Sequence, residues 1–443
     1  MRIQAQVSEF LEEVLGKDGV PKTPILQNKP NLLLALSGGR DSAVLLNLLV
    51  PLQKTLGFTL HAMHVHHGLS PNADAWADFC VKACAGYQVP IEVVKVRVDK
   101  ITGLGVEAAA REARYEALMK TDADFILLAH HQEDQAETLL LQLLRGAGVK
   151  GLSAMASVDN SRRLLRPLLN IPVEDIKSFA TTAKLQWIED ESNEDTHYDR
   201  NYCRHILMPK INERFPAAQV TLSRSADHIA EASLLLDELA QLDAENCIVN
   251  QHLNLDALKP LSYPRVKNLT RWWLASLGLG LPSKDRLDEL LDQLLHARAD
   301  ASIKVTVEGK TIRRYQGFAY LEQVTESLPF AMSWQGEQEI KLPDGSTLSF
   351  ERHLGQGLAF DRLGIERLRV ESRHGGERFK PALNRPTRTL KHLLQESNFA
   401  PWLRDRLPLI YLEDTLAVVP GIGVSCLMQA TEKELGLVIS WKC

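Results

Sequence analysis

Cysteine is scarce and scattered. The six in 443 residues are Cys80, Cys84, Cys203, Cys247, Cys426 and Cys443, with no Cys-x-x-Cys among them. That spacing argues against a disulfide framework and a zinc ribbon. Cys80 and Cys84, one helical turn apart, read as two small buried residues. A basic surplus is also missing, since the formal net charge is −5. A chain-wide nucleic-acid coat is therefore excluded, whereas a local basic patch is not. No apolar run approaches the length of a membrane helix. The first residues, Met1 to Val7, lack a signal-peptide pattern, and Glu9, Glu12 and Glu13 follow them. The expected compartment is the cytoplasm.

What is present is ordinary in amount and specific in order. Apolar content of 45% and charged content of 24% suit a globular chain, and 443 residues suit two or three domains. The chain is organised around Leu32-Leu33-Leu34-Ala35-Leu36-Ser37-Gly38-Gly39-Arg40-Asp41-Ser42. Five apolar residues enter Ser-Gly-Gly, and Val44, Leu45, Leu48 and Leu49 then recur at helical spacing. The order is buried strand, glycine turn, helix N-terminus. Two adjacent glycines permit backbone angles closed to other residues and close approach of a ligand. Unpaired N–H groups at the helix start favour an anion. Asp41 beside that anion makes sense with a divalent cation between them. No Lys follows the glycines, which excludes a Walker P-loop, and G-x-G-x-x-G is absent.

From Asn31 to about Ala129 strands and helices alternate. Strands are expected at Leu32–Leu36, Thr59–His66, Ile91–Val98 and Phe125–Ala129. Helices are expected at Ser42–Leu56, Ala73–Tyr87, Val106–Lys120 and Gln132–Arg145. A short helix, about Ile3 to Leu15, and a linker with Pro21, Pro24 and Pro30 precede them. The alternation predicts an α/β fold, a doubly wound parallel sheet that binds ligands beyond the carboxyl ends of its strands.

Several polar stretches fall at those ends. His61, His64, His66 and His67 crowd the second strand. Alternation puts His64 and His66 on one face and His67 on the other, and no Cys or acid accompanies them. They read as pocket-lining or hydrogen-bonded residues rather than a zinc site. Arg111 has two readings: a helix salt bridge with Glu107, or a cation aimed at phosphates. Around His130, Glu133, Asp134 and Glu137, acids cap a helix. In that position one of them can supply a second carboxylate for Mg²⁺ opposite Asp41. Tyr198, Arg200, Asn201, Tyr202, Arg204 and His205 combine arginine with aromatics, which suits phosphate contact and base stacking.

The string Ser37–Ser42 resembles the PP-motif, S-G-G-x-D-S, of the N-type ATP pyrophosphatases, which cleave ATP between the α and β phosphates. His64–Leu69, Glu107–Tyr115, Ala129–Thr138, Arg145–Gly148 with Gly151-Leu152, Arg166–Leu169, Asp190–Asn193 and Tyr198–Pro209 resemble successive motifs of the tRNA(Ile)-lysidine synthetase family. The likeness runs from about Asn31 to Phe215. The family usually has Asp-Asp where this chain has Glu133-Asp134, so the metal role carries to Asp134. Asp190-Glu191-Ser192-Asn193 is a second mild departure.

The resemblance implies a reaction. ATP adenylates the C2 oxygen of the wobble cytidine in the CAU anticodon of an isoleucine tRNA. An amine of free lysine then displaces AMP. It implies ATP held by Ser37, Gly38, Gly39, Arg40, Asp41 and Ser42, and Mg²⁺ on Asp41 and Asp134. Arg111 is implied at the α-phosphate, with His130, Glu137, Arg200 and Arg204 as further catalytic candidates. Two rivals are a PP-loop tRNA thiolase, for which the cysteine pair is missing, and a non-catalytic nucleotide-dependent RNA-binding protein.

After Pro216 the pattern turns helical. A long amphipathic helix is expected at Gln219–Cys247, with helices near Tyr263–Leu277 and Lys284–Ala297 and strands at Ser302–Val307 and Thr311–Glu322. Trp272 and Trp273 read as core. Strands at Gln338–Leu342, Ser346–Glu351 and Leu368–Ser372 precede basic stretches, Arg373–Lys380 and Thr387–Lys391, and then an exposed-looking Trp402. The resulting division is a catalytic domain over 1–216, a mainly helical middle tRNA-binding domain over 217–335, and a smaller α+β domain over 336–443. The last resembles one that contacts the tRNA acceptor end.

Overall fold

The computed structural model describes residues 2–16, 29–98, 106–296, 303–307, 309–322, 329–359, 368–384, 386–397 and 399–442. Pro21 and Pro24 of the linker, Ala297 and Ser302 lie outside the described residues, as do the side chains of Glu107, Ser192 and Asn193. The chain divides into two compact units, Met1–Glu238 and Leu239–Cys443.

The first unit is built on one twisted sheet. Helix α1 (Arg2–Leu15) precedes β1 (Asn31–Ala35), α2 (Arg40–Leu56), β2 (Thr59–His66), α3 (Ala73–Tyr87) and β3 (Ile91–Lys95). Then come α4 (Val106–Met119), β4 (Phe125–Leu127), α5 (Gln132–Leu144), α6 (Val149–Leu152), β5 (Val158–Asp159), β6 (Leu164–Leu165) and α7 (Val173–Thr182). The strand order is β3-β2-β1-β4-β6-β5. All neighbours pair in parallel except β5 with β6. The doubly wound sheet expected from the alternation is the one that forms.

The apolar run of β1 has a direct cause. Leu32, Leu34 and Leu36 pack on the face covered by α1, α2, α3 and α7, whereas Leu33 packs with Leu118 on the face covered by α4. A strand covered on both faces needs an apolar residue at every position. The connection from β1 leads to β2 on one side, and β4 lies on the other. The crevice between the ends of β1 and β4 is therefore the topological switch point, the ligand position of open α/β sheets. Strand ends differ slightly from expectation: β3 stops at Lys95 rather than Val98, although Val96 N–H still donates to His66 O at 3.0 Å. Helix α2 begins at Arg40 rather than Ser42, which brings Asp41 into its first turn.

The division between the units falls inside α10 (Ala218–Cys247). Its apolar residues do not form one buried stripe as expected, since Leu234, Leu235 and Leu242 are exposed while Ala226 and Ala240 are buried. In the second unit α11 (Tyr263–Ser276) and α12 (Lys284–His296) pack on a five-stranded sheet, β7-β8-β11-β10-β9. Its strands are β7 (Ile248–Val249), β8 (His252–Asn254), β9 (Lys304–Val307), β10 (Lys310–Tyr315) and β11 (Phe318–Glu322). Trp273 lies inside this core with its indole N–H on Gln251 O at 2.8 Å, and Trp272 packs against the same cluster. Both tryptophans are core residues, as their sequence context suggests.

Among the described residues the remainder forms three antiparallel sheets, of five, four and two strands, and the larger two contribute to a core of Trp334, Leu348, Val370, Ile410 and Leu437. Trp402 departs from expectation. It is half-buried, edge-on to Tyr315 and Tyr320 with ring centroids 5.7 and 5.5 Å away, and the Arg313 guanidinium lies 5.5 Å over its ring. Several basic residues nearby are also structural. Arg373 pairs with Glu377, and Arg406 pairs with Asp344 at 2.9 Å. Arg378, Lys391 and His392 remain exposed.

Candidate active site

The loop from β1 to α2 is shaped by Gly38. Its φ of +88° lies in the left-handed region, and a Cβ there would meet Ile188 Cδ1 at 2.9 Å and Cys80 Sγ at 3.1 Å. Gly39 is different: its φ of −71° and ψ of 164° are open to any residue. Only one of the two glycines is demanded by backbone conformation. The loop is tied internally. Ser37 Oγ lies 3.1 Å from Ser42 Oγ, Ser42 Oγ donates to Gly39 O at 2.9 Å, and Gly39 N–H donates to Ser37 Oγ at 3.3 Å. The first N–H groups of a helix lack intrahelical partners, so this turn faces the crevice as an anion cradle.

Asp41 and Asp134 come to the same crevice from neighbouring strands. His131 Nε2 lies 3.6 Å from Asp41 Oδ2 and 3.6 Å from Asp134 Oδ2. Asp134 Oδ2 also accepts the His131 backbone N–H at 3.0 Å, capping α5. Burial by itself would raise the Asp41 pKa, but His131 and Arg40 outweigh it and hold the carboxyl below its ordinary value. The reverse holds for His131: burial pulls its pKa down, and Asp134 and Asp41 outweigh that and raise it.

On the far side of Asp134 lies a closed charge network. Helix α8 (Asp199–Tyr202) runs into a π turn, Cys203–Leu207, and then α9 (Met208–Arg214). Arg200 Nη2 and Arg204 Nη2 reach Asp134 Oδ1 at 2.9 and 3.0 Å. Arg200 Nε bonds Glu137 Oε2 at 3.1 Å, and Arg204 holds Glu137 at 2.6 and 2.9 Å. Two guanidinium groups thus balance two buried carboxylates. Glu133 accepts a 2.8 Å bond from Gln219 on α10. Buried Gln135 pins the Met155 backbone at both of its polar groups, at 2.8 and 2.9 Å.

The other candidates divide. Arg111 does reach the neighbourhood, where its field acts on His130. Its side chain donates to Tyr115 OH at 3.3 Å and stacks on that ring at 5.1 Å. His130 is pushed down to about 3, first by burial and then by Arg200, Arg166 and Arg111 against the pull of Asp134. Its ring is neutral at physiological pH, and its buried Nδ1 has no partner. Three histidines in and after β2 are individually engaged: His64 Nδ1 donates to Leu36 O at 2.9 Å, His66 pairs with Asp74 at 3.1 Å, and Arg114 Nε approaches His67 at 3.4 Å. They form no metal set.

Does the donor set fit Mg²⁺? Asp41 and Asp134 are hard oxygen donors that both approach His131 Nε2, each at 3.6 Å. Among the described residues no group of three or more His, Cys, Asp or Glu could hold a metal by itself. Two carboxylates completed by phosphate oxygens and water is a normal Mg²⁺ arrangement, so the residues fit an ion brought with a nucleotide. His131, rather than the adjacent candidate His130, is the histidine that approaches both aspartates. Arg166, which follows β6, falls in the stretch Arg166–Leu169, where the sequence gives it no individual role. The one signal for His131 was its place three residues before Asp134, the N-cap spacing.

A parallel sheet with a glycine-led anion cradle after β1, and a carboxylate across the switch point, defines a PP-loop ATP-utilising enzyme. The family model described as a PP-loop domain matches residues 2–211. Two further models match, a TilS substrate binding domain over residues 253–320 and a TilS substrate C-terminal domain over 368–441. A tRNA(Ile)-lysidine synthase from Nitrosomonas europaea is 43% identical over 419 residues, covering 93% of this chain and 91% of that protein. One from an Azoarcus species is 41% identical over 414 residues, with 93% and 91% covered. Among solved structures, a U34-tRNA thiolase from Methanococcus maripaludis aligns with 52% of this chain and 79% of its own, at 18% identity and a TM-score of 0.43. The chain belongs to the tRNA(Ile)-lysidine synthase family.

Among the described residues, no helix is long and apolar enough to cross a membrane.

Proposed function

We propose that this chain ligates lysine to C2 of the wobble cytidine in the CAU anticodon of tRNA(Ile), changing its reading from AUG to AUA. The cytidine C2 oxygen attacks the α-phosphorus of ATP, the α–β bond breaks and pyrophosphate leaves. The side-chain amine of lysine then adds at C2 and loses a proton, and AMP departs. The observation that carries this reading is the meeting of Asp41 and Asp134 at the switch point beside the Ser37–Ser42 loop.

In this reading the Ser37–Ser42 loop grips the phosphates through N–H and hydroxyl donors. Asp41 and Asp134 hold Mg²⁺, which when bound offsets the charge that develops on the phosphates. Arg111 stabilises charge on the α-phosphate. His130, neutral in its buried place, hydrogen-bonds without adding charge. Glu137, Arg200 and Arg204 act through Asp134 as positioning residues, the two arginines holding its Oδ1 while Oδ2 faces His131. The span 1–216 does the chemistry, while 217–335 and 336–443 hold the tRNA, the last at its acceptor end. ATP, free lysine and tRNA place the reaction in the cytoplasm.

The rival thiolase chemistry needs an accessible cysteine. Cys80 and Cys203 are fully buried, and burial pushes their thiols up to about 12 and about 11. Neither supplies a thiolate. The test is incorporation of radiolabelled lysine into a CAU-bearing isoleucine tRNA transcript with ATP and Mg²⁺, beside Asp41→Asn. Labelling that needs ATP and is lost in the variant supports the reading. ATP turnover with tRNA but without lysine incorporation refutes it.

A further inference from the structure

The first turn of α5 is a junction. Its consecutive residues Glu133, Asp134 and Gln135 are each held by a different part of the chain. Asp134 is gripped by Arg200 and Arg204, and Gln135 by the Met155 backbone. Glu133, half-buried, accepts the Gln219 side-chain N–H at 2.8 Å. Gln219 stands in the first turn of α10, and one turn on Leu222 packs with Ala136 of α5, Cys203 and Met208. A polar bond and an apolar contact thus fasten α10 to the helix that carries Asp134.

Helix α10 is 30 residues long, about 45 Å, and neither glycine nor proline interrupts it. Most residues between Arg224 and Glu238 are exposed, so the helix carries that stretch on its own hydrogen bonds. Its last turns belong to the second unit. There buried Asp243 accepts the Arg265 Nε–H of α11 at 3.1 Å, and Cys247 lies in the core. Sharp kinks in helices arise at Pro, Gly or a bulge, so a continuous helix fixed at both ends and bare between them carries displacement from one end to the other.

We propose that Glu133 is a positioning residue: through Gln219 it makes the placement of Asp134 follow α10, so that tRNA held by the second unit brings the crevice into its reactive arrangement. This assignment rests on the lysine-ligating reaction and the tRNA-holding role proposed above. It implies a preference between RNAs that present the same cytidine. Full-length tRNA engages both units and is favoured over an isolated anticodon stem-loop.

The test measures lysine incorporation into both RNAs by wild type, Glu133→Gln, Glu133→Asp and Gln219→Leu. Wild type should favour the full tRNA in kcat, at saturating RNA. Glu133→Gln keeps an acceptor oxygen at the same reach and should keep that preference. Glu133→Asp keeps the charge but ends one methylene short, and Gln219→Leu removes the donor. Both should lower kcat on full tRNA about fivefold, the scale of one hydrogen bond, and leave the stem-loop rate unaltered. Combining Glu133→Asp with Gln219→Leu should lower it no further than either alone. Amide exchange supplies a readout without turnover. With no ATP or metal, full tRNA should slow exchange in the first turn of α5 in wild type and Glu133→Gln, and not in the other two variants, which should still bind the tRNA.

Loss in Glu133→Gln with retention in Glu133→Asp would make the carboxylate itself the working group and overturn the assignment. Equal falls on both RNAs overturn it too, as does α5 exchange in wild type that ignores tRNA. Circular dichroism checks folding, and Gln219→Leu carries the test from the other side of the bond if a Glu133 variant fails to fold. A wild type that incorporates lysine into neither RNA removes the proposed reaction and this assignment with it. One that incorporates lysine with no difference among the variants removes this assignment alone.

Discussion

Arg204 grips Glu137 along a full guanidinium edge, Nε to Oε1 at 2.6 Å and Nη2 to Oε2 at 2.9 Å. The carboxylate is 2% exposed, so this is a desolvated pair rather than a surface ornament. Nη2 also reaches Asp134, which makes the pair a brace for the crevice. Breaking a buried pair leaves the remaining charges uncompensated, at a cost of about 3 to 5 kcal/mol. Arg204 keeps part of its hydration, so Glu137→Gln should cost about 3 kcal/mol, at the lower end of that range. The expected readout is a lowered midpoint in urea with unchanged slope, together with reduced lysidine formation at full substrate. An unaltered midpoint would show that water replaces the pair without loss.

Asp344 gives the acid limb of stability in the second unit. It accepts the Ser346 N–H and hydroxyl at 3.0 and 2.6 Å and an Arg406 Nε–H at 3.0 Å. Burial opposes ionisation, but Ser346 and Arg406 outweigh it and hold the pKa below the ordinary 3.8. A folded-state pKa below the unfolded one stabilises the fold above that unfolded value, and the stabilisation is lost as pH falls through the folded value. Urea midpoints should therefore drop more steeply below pH 4 in wild type than in Asp344→Asn. The variant should be weaker than wild type at pH 7. Parallel curves down to pH 2.5 would contradict this.

Much of this molecule is written in local sequence. The run Leu32–Leu36 announced a strand covered on both faces, and Ser37–Ser42 announced a glycine turn into a helix, because both are local statements about burial and backbone. What escaped depends on distant segments meeting. His131 and His130 are adjacent and chemically identical in sequence, yet only His131 bridges the two aspartates, because of the direction in which the chain enters α5. The π turn Cys203–Leu207 has no composition signal. Trp402 looked exposed because its partners, Tyr315 and Tyr320, lie on strands over eighty residues earlier in sequence. Arg373, part of a stretch that reads as basic, pairs with Glu377 only four residues on, whereas the carboxylate that holds Arg406, Asp344, lies 62 residues earlier.

Cysteine replacement separates the two PP-loop chemistries. Cys80 lies behind the loop with its Sγ 3.4 Å from His64 Nδ1, and Cys203 packs with Ala136 and Met208. Both are fully buried, and their pKa values are raised by burial, so neither is a nucleophile at neutral pH. Cys80→Ala and Cys203→Ala should keep lysine incorporation within about twofold, while losing about 1 kcal/mol each for the small cavities. Loss of turnover in a variant that still melts cooperatively near the wild-type temperature would assign sulfur a chemical role.

The paired glycines should separate folding from binding. At Gly38 an alanine meets two penalties, a φ of +88° and a Cβ 2.9 Å from Ile188 Cδ1. Ile188 N–H also donates to Gly38 O at 2.9 Å, so neither side can move away freely. The loss should be about 2 kcal/mol, from left-handed backbone strain and overpacking. At Gly39 the backbone is ordinary and a Cβ meets only Ser37 Oγ at 3.5 Å, a normal contact. Gly39→Ala should therefore melt like wild type. If its glycine serves close approach of a phosphate to the main chain, the same variant should bind ATP at least tenfold more weakly. Calorimetric melting beside ATP titration distinguishes the two. A Gly39→Ala variant with wild-type ATP affinity would mean that the phosphates lie farther from the backbone than the cradle implies.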